Sequence, residues 1–302
     1  MKIDHGNLRA LAAVVREGSF ERAAASLSVT PSAVSQRIKA LEERMGRLLV
    51  QRGVPAVATP DGQVLVQLAE QAALLEHDAL GRLGLDDAAT AVSIAVAVNH
   101  DSLETWFMRA AELFAARSHA TLDLQSEDQD HTADLLRNGA VLGAVTTLAD
   151  PVQGCRIHAL GGMRYMATCS PQFHEKYFAQ GVNARSLAAA PVLVFNRKDA
   201  LQARFAQKIM AGAPWQPPVW WLPSSRAFVQ ATLSGLGWTM NPLPLVQDDL
   251  DSGKLVPLRA RAWEDVPLYW QHWRVHSQAM DLLTDSILEA AGSLVRKGGK
   301  HA

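Results

Sequence analysis

The sequence predicts a two-part chain: an all-α module at the N-terminus, carried on one long helix, and a larger α/β part beyond it. Three observations predict this. Residues 19–47 have the caps and apolar spacing of two helices around a tight turn. Residues 60–83 hold no proline after Pro60 and repeat apolar side chains at steps of three and four. From residue 91 to 302, strand-like and helix-like runs alternate, the pattern of βαβ units around a mainly parallel sheet.

In the first module, Leu8, Leu11, Ala12 and Val15 mark a supporting helix, with Phe20 at its exit. Ser19 is placed to cap a short helix to about Ser26, and Ala23, Ala24 and Ala25 let another helix approach closely. Val29 fills the turn. Thr30 caps the next helix and Pro31 takes its first position, where a missing N–H costs nothing. Val34, Ile38 and Leu41 recur at helical spacing and should face the core. That leaves Thr30, Pro31, Ser32, Ser35, Gln36, Arg37 and Lys39 on the polar side. Short hydroxyls, an amide and a guanidinium there suit hydrogen bonds to phosphates and to base edges in a major groove, so the expected partner is double-stranded promoter DNA. The alternative is an ordinary helical hairpin with a solvated polar face.

Charge favours DNA. Residues 1–60 hold nine Lys/Arg against five Asp/Glu, residues 61–90 one against six, and residues 91–302 nineteen of each. A chain of net charge −1 thus has a basic N-terminal module. The excess is modest, so one copy should bind weakly and a dimer is expected.

Thr59, Pro60 and Asp61 start the long helix, and Leu65, Leu68, Ala72, Leu75 and Ala79 form a narrow seam suited to pairing with a second copy. The alternative is packing against the chain's own domain. Gly81, Gly84 and Asp86-Asp87 read as a hinge.

In the large part, Val92–Val98 alternates with period two. A helix is expected from Ser102 to about Arg117, strands at Thr121–Gln125 and Val141–Thr147, and a helix at Thr132–Asn138. Further strands are expected at Pro191–Asn196, Val219–Leu222, Gly237–Met240 and Val266–Val275. Helices are expected at Asp199–Met210, Ser225–Ser234 and Ala279–Val295. Gly161-Gly162 and Gly235-x-Gly237 read as turns. Ligands of open α/β sheets sit beyond the carboxyl ends of strands, and here those ends carry Asp101, Glu127, Asp128 and Asp199. A cationic ligand would give such acids a partner, while Ser102, Thr146, Thr147 and Ser225, with helix N-terminal amides, suit a ligand carboxylate. That chemistry fits a basic amino acid. The alternative is that the acids only cap helices.

Other chemistries find little support. No G-x-S-x-G, P-loop or G-x-G-x-x-G motif is present, so no enzyme and no cofactor is expected. The ten histidines are scattered. Only His272 and His276 have helix-face spacing, and they fall in an expected strand, which makes a metal site a weak alternative. Cys155 and Cys169 lie fourteen positions apart, and a thiol redox sensor is a weak alternative. Lys2, Asp4, His5 and Arg9 break any apolar leader, and no apolar run is long enough to span a bilayer, so a cytoplasmic chain without a membrane partner is expected.

Residues 19–47 together with Gly46-Arg47-Leu48-Leu49 and Thr59-Pro60-Asp61-Gly62 resemble the winged helix-turn-helix of LysR-type transcriptional regulators. The resemblance covers the chain in length and order. It implies domains at 1–59 (winged helix-turn-helix), 60–90 (dimerising linker helix and hinge) and 91–302 (effector-binding). The last is expected as two periplasmic-binding-protein-like subdomains, about 91–161 with 267–302, and 162–266. The wing departs from the pattern: between Gly53 and Thr59 it reads Val-Pro-Ala-Val-Ala, without a basic residue, which leaves Arg52 as its candidate DNA contact. Asn99-x-Asp101-Ser102-Leu103-x-Thr105-Trp106-Phe107, Glu127-Asp128-Gln129, Gly143-Ala144-Val145-Thr146, Gly161-x-Met163-Arg164-Tyr165 and Phe195-x-x-x-Asp199 resemble the ArgP/LysG-like branch, whose members respond to lysine and arginine and control export of those amino acids. The resemblance implies Asn99, Asp101, Ser102, Trp106, Glu127, Asp128, Thr146 and Asp199 as ligand residues, with homodimers or dimers of dimers and RNA polymerase as further partners. It does not separate lysine from arginine. A regulator of a different effector, or an amino-acid-binding module whose N-terminal helices contact protein, are the other readings.

Overall fold

The computed structural model describes residues 3–85, 92–127 and 132–295. Helix α1 (His5–Glu17) starts at Asp4, which accepts from the Asn7 amide, and stops at Gly18 in a left-handed conformation. The α2 helix (Phe20–Ser26) is capped by Ser19, and α3 (Pro31–Met45) by Thr30 with Pro31 in its first turn. Strands β1 (Val50–Gln51) and β2 (Val57–Ala58) pair antiparallel as the wing. Helix α4 (Pro60–Arg82) is capped by Thr59. At about 1.5 Å per residue its 23 residues reach roughly 35 Å.

One core unites these elements: Leu8, Leu11 and Val14 of α1, Ala23 and Ala24 of α2, Val34, Ile38 and Leu41 of α3, Leu49 and Val50 near the wing, and Val66 and Ala69 of α4. Leu65 also packs against this core, so it leaves the expected seam. Leu68 and Leu75 of that seam stay 42% and 49% exposed. Gly62 lets α4 start where it does, because a Cβ there would lie 1.9 Å from the Leu49 carbonyl oxygen.

The remaining elements follow in chain order. They are β3 (Ser93–Asn99), α5 (His100–Ser102), a π-helical stretch (Leu103–Phe107), α6 (Met108–Ala115), β4 (Thr121–Glu127), α7 (Thr132–Arg137), β5 (Gly143–Thr146) and β6 (Cys155–Cys169). Then come α8 (Pro171–Phe178), α9 (Ala184–Ala189), β7 (Val192–Val194), α10 (Leu201–Met210), β8 (Val219–Trp221), α11 (Ser225–Leu233) and β9 (Thr239–Pro242). Last are α12 (Leu243–Asp251), β10 (Val256–Pro257), β11 (Trp263–Trp273), α13 (Gln278–Ala290) and a 3₁₀ turn (Ala291–Ser293).

The described residues form two compact units. The first lies within Met1–Val98, Ala110–His158 and Trp270–Ile287, the second within Asn99–Arg109, Ala159–Tyr269 and Leu288–Ala302. In the first unit the strand order is β11-β5-β3-β4; in the second it is β10-β6-β11, with β9 also on β6. An all-α winged module on a linker helix followed by an α/β part is therefore the architecture, as the sequence predicts.

Several local expectations change. The sheet is mixed: β3 with β5 and β7 with β8 are parallel, while β9 and β10 pair antiparallel with β6. Residues 94–98 are buried on both faces of β3, so the period-two pattern does not mark an open face. Gly161-Gly162 is no turn. Gly162 exchanges backbone hydrogen bonds with Val295 at 2.8 and 3.0 Å, and β6 runs straight through. That same pairing draws Val295 out of the last helix, which ends at Ala290. Helices α8, α9 and α12 were not anticipated, although Ser170-Pro171 and Asn183 with Ser186 are legible caps. The Asp86-Asp87 hinge lies outside the described residues.

Candidate functional site

The N-terminal module presents one polar helix face. Val34, Ile38 and Leu41 anchor α3 in the core, which leaves Ser32, Ser35, Gln36 and Lys39 on the opposite side at steps of three, one and three. Ser32, Gln36 and Lys39 are exposed; Ser35 and Arg37 are half-buried. Thr30 Oγ1 accepts from the Ala33 amide at 3.2 Å and lies 3.0 Å from Ser32 Oγ. The face is thus pre-set at the helix N-terminus, where backbone N–H groups favour phosphate. Glu42 Oε1 accepts from the Leu49 and Val50 amides at 2.9 and 3.3 Å, which ties α3 to the wing. Arg52 is exposed, with its guanidinium 5.2 Å from the Phe20 ring.

In the second unit, five expected ligand residues and two others build an acidic cluster. Asn99 Oδ1 accepts from the Ser102 amide at 2.8 Å and starts α5, which fixes Asp101 and Ser102 in the first turn. Tyr165 Oη donates to Asp101 Oδ2 at 2.7 Å, and Ser225 Oγ to Asp101 Oδ1 at 2.8 Å. Burial pushes the Asp101 pKa up; the two hydroxyls and His100 pull it down, and Asp199 adds to the rise. The charged groups that bear on Asp101 include the Asp199 carboxylate and His100. Tyr165 is raised well above its ordinary value by burial and by the Asp101 charge.

Ser102 Oγ and Trp106 Nε1 are sealed from solvent and have no hydrogen-bond partner among the described residues. Buried polar atoms without partners are uncommon in native proteins, and a bound group or water is one way to satisfy them. Asp199 Oδ2 accepts from the Phe195 amide at 3.1 Å and Oδ1 from the Leu201 amide at 3.0 Å, so it does cap α10. The Phe195 ring lies 4.9 Å from the His100 ring, tilted by 37°.

The other expected ligand residues belong to other elements of the chain. Glu127 is exposed at the end of β4 in the first unit. Thr146 is buried there, donates to the Leu148 carbonyl at 3.4 Å and accepts from Gln271 Nε2 at 3.4 Å, which gives its hydroxyl an internal role. Asp128 lies outside the described residues. Two site residues take roles that the sequence did not assign. Tyr165 reaches Asp101 from β6, 64 positions away, and no local pattern signals that. Ser225 is a helix-start serine, expected to hold a ligand carboxylate, but it donates to Asp101 instead.

Both cysteines are free and buried, and burial pushes Cys155 to about 11 and Cys169 to about 12. Such thiols carry little thiolate at neutral pH and are poor redox sensors. No group of three His, Cys, Asp or Glu side chains is arranged to hold a metal among the described residues. No described helix is long and apolar enough to cross a membrane.

Comparison with known proteins gives this geometry its context. Residues 5–63 match the bacterial regulatory helix-turn-helix protein, lysR family, and residues 89–292 match the LysR substrate binding domain. The lysine export transcriptional regulatory protein LysG of Corynebacterium glutamicum is 41% identical over 284 residues, 94% of this chain and 96% of the relative. The crystal structure of ArgP from Mycobacterium tuberculosis superposes with a TM-score of 0.84 at 43% identity, over 98% of this chain and 99% of that one. Full-length LysG from Corynebacterium glutamicum with bound effector Arg superposes with a TM-score of 0.74 at 40% identity, over 97% of this chain and 99% of that one. With both family models matched in order along nearly the whole chain, this protein belongs to the LysR family of transcriptional regulators.

Proposed function

We propose that this regulator senses a basic amino acid, lysine or arginine, and that it controls transcription of a gene for exporting such an amino acid. The observation that carries the effector assignment is the Asp101 cluster: an enclosed carboxyl braced by Tyr165 and Ser225, next to the unpartnered Ser102 hydroxyl and Trp106 indole. A cationic side chain or α-amino group supplies the missing counter-charge, and a ligand oxygen supplies an acceptor for Ser102 and Trp106. The arginine bound in the Corynebacterium relative has this chemistry, and that relative is a lysine export regulator, which supports the target gene. Asn99, Asp101, Ser102, Trp106 and Asp199 are the ligand residues proposed in this cluster. Glu127, Asp128 and Thr146 are proposed to contribute from the other sensor elements.

The protein acts by binding alone, in the cytoplasm, as a homodimer or dimer of dimers. It grips promoter DNA through Thr30, Pro31, Ser32, Ser35, Gln36, Arg37, Lys39 and Arg52 and passes the signal to RNA polymerase. Domain limits at 1–59, 60–90 and 91–302 serve this division of labour.

Calorimetry with arginine, lysine, histidine and neutral amino acids tests the reading. Arginine or lysine should bind, and Asp101→Asn should weaken binding about tenfold to a hundredfold, the worth of a charge-assisted hydrogen bond. Binding should also strengthen as pH rises through the elevated Asp101 range, because only the ionised acid attracts a cation. A neutral amino acid binding alone, or a titration unchanged by Asp101→Asn, overturns the assignment.

A further inference from the structure

Helix α13 is capped from two directions. Its own Ser277 Oγ accepts from the third amide, Met280 N, at 3.4 Å. The two preceding amides are taken from another part of the chain: Gln278 N donates to Asp78 Oδ2 at 2.7 Å and Ala279 N to Asp78 Oδ1 at 3.4 Å. Asp78 stands near the end of α4, the helix that carries the DNA-binding module, while α13 belongs to the sensor part.

Asp78 is not isolated. Gln67, Glu70, Leu74 and Asp78 follow at steps of three, four and four, one stripe of α4. It differs from the stripe of Leu65, Val66 and Ala69 that packs on the winged module. Gln67 meets the sensor part at Gly139, where a Cβ would lie 3.0 Å from Gln67 Oε1. Glu70 lies within electrostatic reach of Asp123 on β4 and of Arg16 on α1.

We propose that Asp78 is a latch that holds the linker helix on the sensor part of the same chain, and that its release from α13 is a step in the response to effector. The carboxylate sits on the positive end of a 13-residue helix, so the attraction is directional and is lost when the helix start moves. The start is placed to move. Only residues 274–277 separate α13 from β11, and β11 runs back into the unit that holds Asp101. A shift of that strand on ligand binding pulls on the amides that Asp78 grips. Since the latch is polar and at the surface, breaking it leaves the apolar packing of α4 on α1 intact.

The effector-linked part rests on the function proposed above, so the test includes a readout without effector. Full-length wild type, Asp78→Ala, Asp78→Asn and Ser277→Ala are compared for hydrogen exchange at residues 276–283 and for affinity to a duplex selected by the wild type from a random pool, with and without arginine or lysine. Asp78→Ala should speed exchange at the start of α13 and change ligand-free DNA affinity at least fivefold. Asp78→Asn, which keeps an acceptor, should be intermediate, and Ser277→Ala should change affinity less than twofold. Faster exchange with unchanged DNA affinity reduces Asp78 to a cap and overturns the latch, as does unchanged exchange. If wild type ignores both amino acids while Asp78→Ala still shifts ligand-free affinity, the latch stands and the effector assignment fails.

Discussion

Glu70 on α4 keeps Oε2 sealed from solvent without a hydrogen-bond partner among the described residues, and burial pushes its pKa from 4.5 to about 8 against the pull of Arg16. The folded protein therefore holds this proton over a range where the unfolded chain has lost it. The stability linked to it is fully present below about pH 4.5 and drains away as pH rises toward about 8. Glu70→Gln removes the titration. Relative to wild type it should gain about 1–3 kcal/mol between pH 5 and pH 9, after discounting for partial exposure. Thermal melts across that range check this, and a wild-type-to-mutant difference independent of pH would count against it. Glu70 was not singled out in the sequence, where it is one more acid on a polar helix face. Asp101 was singled out, because a strand end with an acid before a helix is a recognisable pattern. What encloses Asp101, Tyr165 and Ser225, comes from 64 and 124 positions away.

The same divide recurs among the elements. Starts of helices were legible because their causes are local: Ser19, Thr30 and Thr59 each accept the amide of the third residue of the helix they open. The course of β6 was not, because Gly161 and Gly162 are turn formers locally and are held extended by Val295. Gly62 shows a local residue under a distant constraint. Its lack of a side chain serves the Leu49 carbonyl of the preceding segment rather than the helix itself. Gly62→Ala should therefore cost about 3 kcal/mol or more, although alanine favours helix. Chemical denaturation measures it, and a cost below about 1 kcal/mol would mean that the first turn of α4 relaxes freely.

For the whole molecule, α4 has three faces with three addressees. Leu65, Val66 and Ala69 serve the winged core; Gln67, Glu70 and Asp78 meet the sensor part. Val64, Leu68 and Leu75 remain exposed on the third, the surface proposed to pair with a second copy. Leu68→Asp with Leu75→Asp should convert a dimer to a monomer by sedimentation and weaken DNA binding at least tenfold, since two half-sites are then no longer held together. A dimer that survives both charges places the interface elsewhere. The sequence by itself determined the helix pair, its caps, the basic module and the strand-end acids, because capping, periodicity and charge act over a few residues. Only the tertiary structure decided which atoms brace Asp101, that Leu65 turns inward, and that Asp78 grips α13, because those choices depend on which distant segments pack together.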